Sequence, residues 1–315
     1  MNSRPVEQQK LDATERRRVT DAVIQNLNAH YVDPHVAQKM THAMRTHEQS
    51  GDYEAVTDGA AFADLLTRQI RDVSHDMQLE VVYSQPPLPA SRFDALGRPL
   101  GPTPEELSRY REAMKQENCT FEKTEILPHN IGYLKLNAFP VPSICESSAR
   151  AAMNRLKDVD AVIFDLRDNR GGEPEMVALM AAYLFDHPEY LYNPRENTTE
   201  RSWTQSPVPG NKLADKPVYV LTSARTLSGA EQFCYNLKML KRATLVGETT
   251  GGAAHAGVFH RIDDHFGIGI PEIKAINPYS KSGWEGTGVE PDVKVNIAAA
   301  LEMAVKLAES KLQKK

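Results

Sequence analysis

Four short segments carry residue types that could do acyl chemistry. In TSARTLSGAEQF, residues 222–233, an extended run ends at Thr222 and Ser228-Gly229 precedes a helix. A serine at a strand-to-helix turn can present its Oγ while the next backbone N–H points at the same space, although the G-x-S-x-G pattern itself is absent. The plainer reading makes Ser228 an N-cap, a position serine favours. In DLRDNRGG, residues 165–172, a buried strand runs into Gly171 and Gly172 at the entry to a helix. Two glycines let the backbone approach a ligand, and helix N-terminal amides favour an anion, so the segment reads as an oxyanion hole or phosphate cradle, or as a tight turn. GETTGGAAHAG, residues 247–257, lacks the lysine of a phosphate loop and the spacing of a dinucleotide fingerprint. It carries His255, 27 residues after Ser228, either a solvated loop histidine or, beside a candidate nucleophile, a base, since free imidazole titrates close to neutrality. GWEGTGVEPDVKV, residues 283–295, offers Glu285 either to orient a base or substrate amine or as a solvated turn carboxylate.

Metal chemistry finds less support. His255, His260 and His265 recur every five residues, which suits ligation from neither a helix nor a strand. Cys119, Cys145 and Cys234 form an odd, sparse set with no zinc spacing and no disulfide framework. No cofactor is expected.

The elements that must position these residues are readable from periodicity. Val19, Val23, Ile24, Leu27 and Tyr31 recur at helical spacing. Their helix has no clear start, since Thr14 and Arg17 do not make a capping box. PHVAQKMTHAMRTHEQSG predicts a second helix stopping near Gly51, and DGAAFADLLTRQIRDVS a third with Phe62, Leu65, Leu66 and Ile70 on one face. Residues 84–104 hold six prolines and two glycines, a linker composition, and PEELSRYREAMKQEN is a helix candidate. From residue 119 the pattern becomes α/β. CTFEKTEIL and NIGYLKLNAF are strands joined at Pro128-His129-Asn130; DAVIFDLR, KPVYVLTS and ATLVG are buried strands alternating with helices. Such alternation predicts a parallel or mixed sheet with helices on its faces. The domains expected are a helical one over 1–83, a proline-rich linker and helix over 84–118, and an α/β core over 119–315.

Lys+Arg 37 against Asp+Glu 42 leaves a net charge of −5, which argues against a dedicated nucleic-acid binder. No run of 18 or more apolar residues is present to span a membrane. The opening MNSRPVEQQKLDATERRR has no apolar stretch of the kind a secretory signal needs. The chain is therefore expected either to stay inside the cell or to be a trimmed mature form.

Taken in order, DLRDNRGG, TSARTLSGAE, LVGETTGG and GTGVEPDV resemble the C-terminal processing (tail-specific) serine protease family. The nearer branch is the one with tricorn-core-like and interphotoreceptor-retinoid-binding-protein-like sequences. The helical first third and ILPHNIGYLKLNAF resemble the latter. The resemblance covers about residues 15–300. It implies a crotonase-like spiral α/β core with an N-terminal helical bundle, and a peptide or protein substrate. Ser228, three residues before Glu231, takes the nucleophile's place. The backbone of Gly229 and of Gly171 or Gly172 takes the place of the oxyanion hole, a large term in acyl transfer.

The departures are specific. The processing-protease branch carries a lysine base 25 residues after its nucleophile; here that position is Ala253, and Lys238 does not align with it. The tricorn branch carries a glutamate just before Gly-Val-x-Pro-Asp, matched by Glu285. It also carries a histidine in an Asp-x-His pattern, matched here at 76–78 except that residue 78 is Gln. His75 lies three residues from that place; His255, typical of the retinoid-like branch, is the preferred base. The 81–120 stretch is too short for the family's PDZ domain. Serine peptidase chemistry through Ser228 is thus the leading expectation. The alternative is an inactive module that binds apolar ligands or peptides, and an acyl-CoA enzyme is the third.

Overall fold

A computed structural model describes residues 10–89, 101–191, 202–204, 213–273 and 283–314. Residues 90–100 of the expected proline-rich linker lie outside the described residues. Along the chain come α1 (Ala13–His30), α2 (Pro34–Gln49), α3 (Gly59–Ser74), β1 (Glu80–Tyr83), α4 (Pro104–Gln116), β2 (Phe121–Leu127) and β3 (Ile131–Leu136). Then follow α5 (Pro142–Arg155), β4 (Ala161–Asp165), α6 (Pro174–Ala182), the short ribbon β5 (Tyr190–Leu191) and β6 (Ser202–Trp203), β7 (Val218–Thr222) and α7 (Gly229–Met239). The last elements are β8 (Thr244–Gly247), β9 (Ala256–Arg261), β10 (Phe266–Ile273), β11 (Val293–Lys294) and α8 (Ala300–Leu312). Contacts divide the chain into two units, Met1–Gly101 with His255–Lys274, and Pro102–Ala254 with Ala275–Lys315.

The first unit is helical with a small sheet. Asp12, Asp33 and Asp58 cap α1, α2 and α3, each side chain accepting from backbone amides of the first turn. Asp12 supplies the start that Thr14 and Arg17 do not. The apolar faces meet as their spacing predicts: Val19, Val23, Leu27, Met40, Met44, Phe62, Leu66 and Ile70 are fully buried in one core. At about 1.5–3 kcal/mol for each fully buried large apolar side chain, this core is what holds the helices together. Its floor is a three-stranded antiparallel sheet, ordered β1-β10-β9. Phe266, Ile268 and Ile270 alternate along β10 and all face the core. Local periodicity in the first 83 residues shows only helices because β1 is four residues long and its two companion strands arrive from beyond residue 255.

The second unit is the α/β core with a mixed sheet, ordered β11-β8-β7-β4-β3-β2. All pairings are parallel except β2 with β3. Every residue of β4 and β7 is buried, as their unbroken apolar runs require. One face carries a core that includes residues of α5, α6 and α7. The other is covered by α8, whose Ala300, Ala304 and Ala308 form a stripe of small residues against Tyr219, Leu221 and Val246. The glycine-rich segments all leave the C-terminal ends of β4, β7 and β8, where ligands bind in open α/β sheets.

One expectation is corrected. Cys119 and Cys145 form a disulfide, with Cα atoms 5.6 Å apart, while Cys234 is buried and free. Pairing needs only that the two side chains face each other. The fold brings the turn before β2 against the first turns of α5, which a count of cysteines does not show.

Candidate active site

The turns after β4 and β7 are stitched to one another before any functional atom is considered. Thr226 Oγ1 donates to Leu166 O at 2.8 Å, Ser223 Oγ to Arg167 O at 2.5 Å, and Leu227 N to Asn169 O at 3.0 Å. Beneath them lies Asp165, fully buried. It accepts from Tyr133 Oη at 2.7 Å and from Arg167 Nη2 at 2.6 Å. Arg167 Nη1 in turn donates to Ile297 O at 2.8 Å, so the base of the turn is anchored to the segment before α8.

Ser228 sits at the N-cap of α7 with φ 51° and ψ −119°. An ordinary N-cap has β-region dihedrals, as Asp12, Asp33, Asp58 and Thr103 have here. A non-glycine residue in this sparsely populated conformation is strained, and such strain clusters at functional sites. The side chain is half-buried and faces the backbone amide of Glu231, the other half of a capping box in which Glu231 accepts from Ser228 N.

Gly171 and Gly172 lie directly against this bend. A Cβ on Gly171, φ 95°, would come within 2.7 Å of Ser228 Cβ and 2.8 Å of Gly229 N. A Cβ on Gly172, φ 130°, would meet Phe139 O at 2.1 Å. Neither position can hold a side chain without rebuilding the turn. The two amides differ in what they do. Gly171 N–H donates to Asn169 Oδ1 at 2.8 Å. The amides of Gly172 and Gly229 have no hydrogen-bond partner among the described residues. An ideal Cβ on Gly229 would lie 3.1 Å from Gly172 N, so the two residues lie against each other.

Glu231 organises what surrounds the bend. It is fully buried and accepts four hydrogen bonds. These come from Ser228 N at 2.9 Å, Thr250 Oγ1 at 2.5 Å, Gly252 N at 2.7 Å and Ala253 N at 2.8 Å. Burial pushes its pKa up, and the four donors oppose that rise. One carboxylate thus holds the serine turn and the glycine-rich segment after β8 in register. Thr250 extends the link, its Oγ1 accepting from Val289 N at 2.7 Å. From sequence Glu231 served only to locate the nucleophile. Ala253 is buried where the processing branch has lysine. Glu285 Oε2 accepts from Ala254 N at 2.6 Å, so this carboxylate holds the chain just before His255.

In the first unit, His255 and Asp76 pair, with Nδ1 and Oδ2 3.0 Å apart. The imidazole is 10% exposed and the carboxylate 3%. Asp76 Oδ2 also accepts from Tyr31 Oη at 3.2 Å, and Oδ1 from Gln78 N at 3.0 Å. A buried carboxylate on Nδ1 favours the tautomer that leaves Nε2 as the acceptor. Sequence reasoning missed Asp76 in this role. Its signal was the Asp-x-His pattern at 76–78, in which the aspartate is present and the histidine is not. His75 is exposed, and its left-handed backbone, φ 57°, closes α3 through its N–H to Arg71 O at 2.7 Å.

Residues 130–295 match the model of peptidase family S41. This chain belongs to peptidase family S41. Residues 13–128 match the N-terminal domain of that family found in eukaryotic interphotoreceptor retinoid-binding protein. The chain is 26% identical over 176 residues to the carboxyl-terminal-processing protease of Synechocystis sp., covering 56% of this chain and 40% of that protein. It is 27% identical over 207 residues to the chloroplastic carboxyl-terminal-processing peptidase 1 of Arabidopsis thaliana, 64% of this chain and 41% of that protein. The S41 chain described here therefore spans about two fifths of the length of these relatives. Tricorn protease of Thermoplasma volcanium is 27% identical over 199 residues, 59% of this chain and 17% of that protein.

Among solved structures, mature CPAF complexed with lactacystin superimposes with a TM-score of 0.62 at 12% identity, covering 95% of this chain and 98% of that one. The tricorn protease gives 0.58 at 13% identity, over 95% of this chain and 37% of that one. These likenesses establish the fold, an α/β core with a helical N-terminal region, as the motifs imply. No helix among the described residues is long and apolar enough to cross a membrane.

Proposed function

We propose that this S41 chain is a serine peptidase acting on extended peptides or their C-termini. Ser228 Oγ attacks the scissile carbonyl as its proton passes to His255 Nε2, whose ring Asp76 orients from the other side. The carbonyl oxygen, now an oxyanion, is held by the amides of Gly172 and Gly229. The proton then goes from His255 to the leaving amine, and water hydrolyses the acyl-enzyme by the same path. Of the two glycines the sequence offered as donors, Gly172 is preferred because the Gly171 amide is already bonded to Asn169. Glu285 acts through the backbone of Ala254 as a positioning residue for His255. His75 takes no part.

The observation that supports this reading is the strained bend at Ser228 beside two amides without a partner among the described residues. A fluorophosphonate probe tests it. The folded chain should be labelled, and Ser228→Ala should lose both labelling and peptide hydrolysis, with a fall in kcat/KM of about 10⁵-fold or more. Absence of labelling in folded wild type, or equal labelling of the variant, would overturn it. Ala253 in place of the dyad lysine favours the second reading, a binding module without turnover. That reading predicts no labelling and unchanged peptide affinity in Ser228→Ala.

A further inference from the structure

Three side chains of the first unit that play no part in this chemistry converge on one point. They are His30 in the last turn of α1, His260 on β9 and Glu272 near the end of β10. His260 Nε2 and Glu272 Oε1 are 2.5 Å apart, and His30 Nδ1 lies 3.8 Å from the same oxygen. The imidazoles of His30 and His260 stack, with ring centroids 4.2 Å apart and planes inclined by 22°. One ligand atom from each residue falls within 4.8 Å of the other two.

The backbone builds this arrangement. Val32 N–H donates to Pro271 O at 3.0 Å, which ties the C-terminal end of α1 to β10 beside Glu272. The register between β9 and β10 shifts between Pro271 and Ile273, so Glu272 sits at the irregularity. His30 is the last residue of α1, where the helix dipole favours a cation. Exposure of the side chains runs from 21% at His260 through 27% at Glu272 to 39% at His30. The cluster is thus backed by protein on one side and open on the other.

The geometry points to a binding site for a divalent transition-metal ion of the zinc class, with His30, His260 and Glu272 as its three protein ligands. Two imidazoles and a carboxylate suit Zn²⁺, Ni²⁺ or Cu²⁺ better than Mg²⁺ or Ca²⁺, which prefer all-oxygen shells. Ligand atoms about 2.0–2.2 Å from one ion lie roughly 3.3–3.6 Å from each other. His260 Nε2 stands closer than that to Glu272 Oε1, and His30 Nδ1 slightly farther from it. The open side leaves a fourth position for water. The spacing of five between His255, His260 and His265 hides the site, because the partners of His260 come from α1 and β10 instead.

Titration of the untagged full chain with Zn²⁺ by calorimetry, and with Co²⁺ by visible absorption, tests the assignment. One ion per chain should bind, with Co²⁺ giving the intense bands of a four-coordinate site. Glu272→Gln and His260→Ala should each weaken binding about tenfold or more. His30→Ala, an exposed change on a helix that leaves the core untouched, should do the same and guards against misfolding of the other two. Ser228→Ala and His255→Ala should bind as wild type does. No saturable binding below millimolar Zn²⁺, or wild-type affinity in His30→Ala and Glu272→Gln, would overturn the site.

Discussion

Ser228 and His255, the two side chains of the proposed reaction, are held in place by different materials. Around Ser228 the working parts are backbone: a bend with φ 51°, two glycine amides, and a buried carboxylate that accepts from three more amides and a hydroxyl. Around His255 they are side chains, an imidazole and a carboxylate 179 positions apart in sequence. A backbone device demands glycine and serine at fixed places along one stretch of chain. A side-chain device demands only that the fold deliver two groups to one place. Damage to the first should therefore show as lost structure as well as lost rate, and damage to the second as lost rate alone.

The sharpest way to break that contrast, after loss of Ser228 itself, is Asp76→Asn. It keeps shape and burial but no longer fixes the imidazole tautomer. The expected fall in kcat is about 10³–10⁴-fold, with an unfolding midpoint close to wild type. A large loss of stability would instead make Asp76 a structural residue.

Glu231→Gln strikes the backbone device. Its amide NH₂ cannot accept, so donors that now converge on a carboxylate lose partners. A cost of about 2–4 kcal/mol in urea unfolding is expected together with lost activity. The pH dependence gives a second handle. Burial raises the pKa of Glu231 above its ordinary 4.5, so the folded state holds this proton to higher pH than the unfolded chain does. Its contribution to stability is then greatest below pH 4.5 and declines as pH rises through the folded value. The stability gap between wild type and Glu231→Gln should narrow over that rise.

The smallest effect belongs to His75→Asn. Asparagine tolerates the left-handed helix end, and kcat/KM should stay within about twofold of wild type. A loss of a hundredfold would return His75 to the reaction and unseat His255.

Much of the α/β core was legible in the chain. β4 and β7 are unbroken apolar runs, and the turns that follow them carry glycines where no Cβ fits. Ser228, Gly229 and the Gly171-Gly172 pair could be named because each motif is local. Asp76 could not, since its partner is delivered by the fold. The same holds for β9 and β10, which bear no helical period; they pair with each other, and β10 with a strand of four residues far upstream. It holds also for Cys119 and Cys145, joined across a turn and a helix. What stayed hidden was in each case a pairing, never a residue type.

The passage of residues 255–274 back into the first unit sets a rule for anyone who would cut or swap this molecule. A fragment ending at Gly101 keeps three helices and loses the strand bearing Phe266, Ile268 and Ile270, on which their oily sides rest. Such a piece should clump rather than fold. A transplant between relatives would have to move the helices and the distant hairpin as one graft, and in evolution the two should have drifted together.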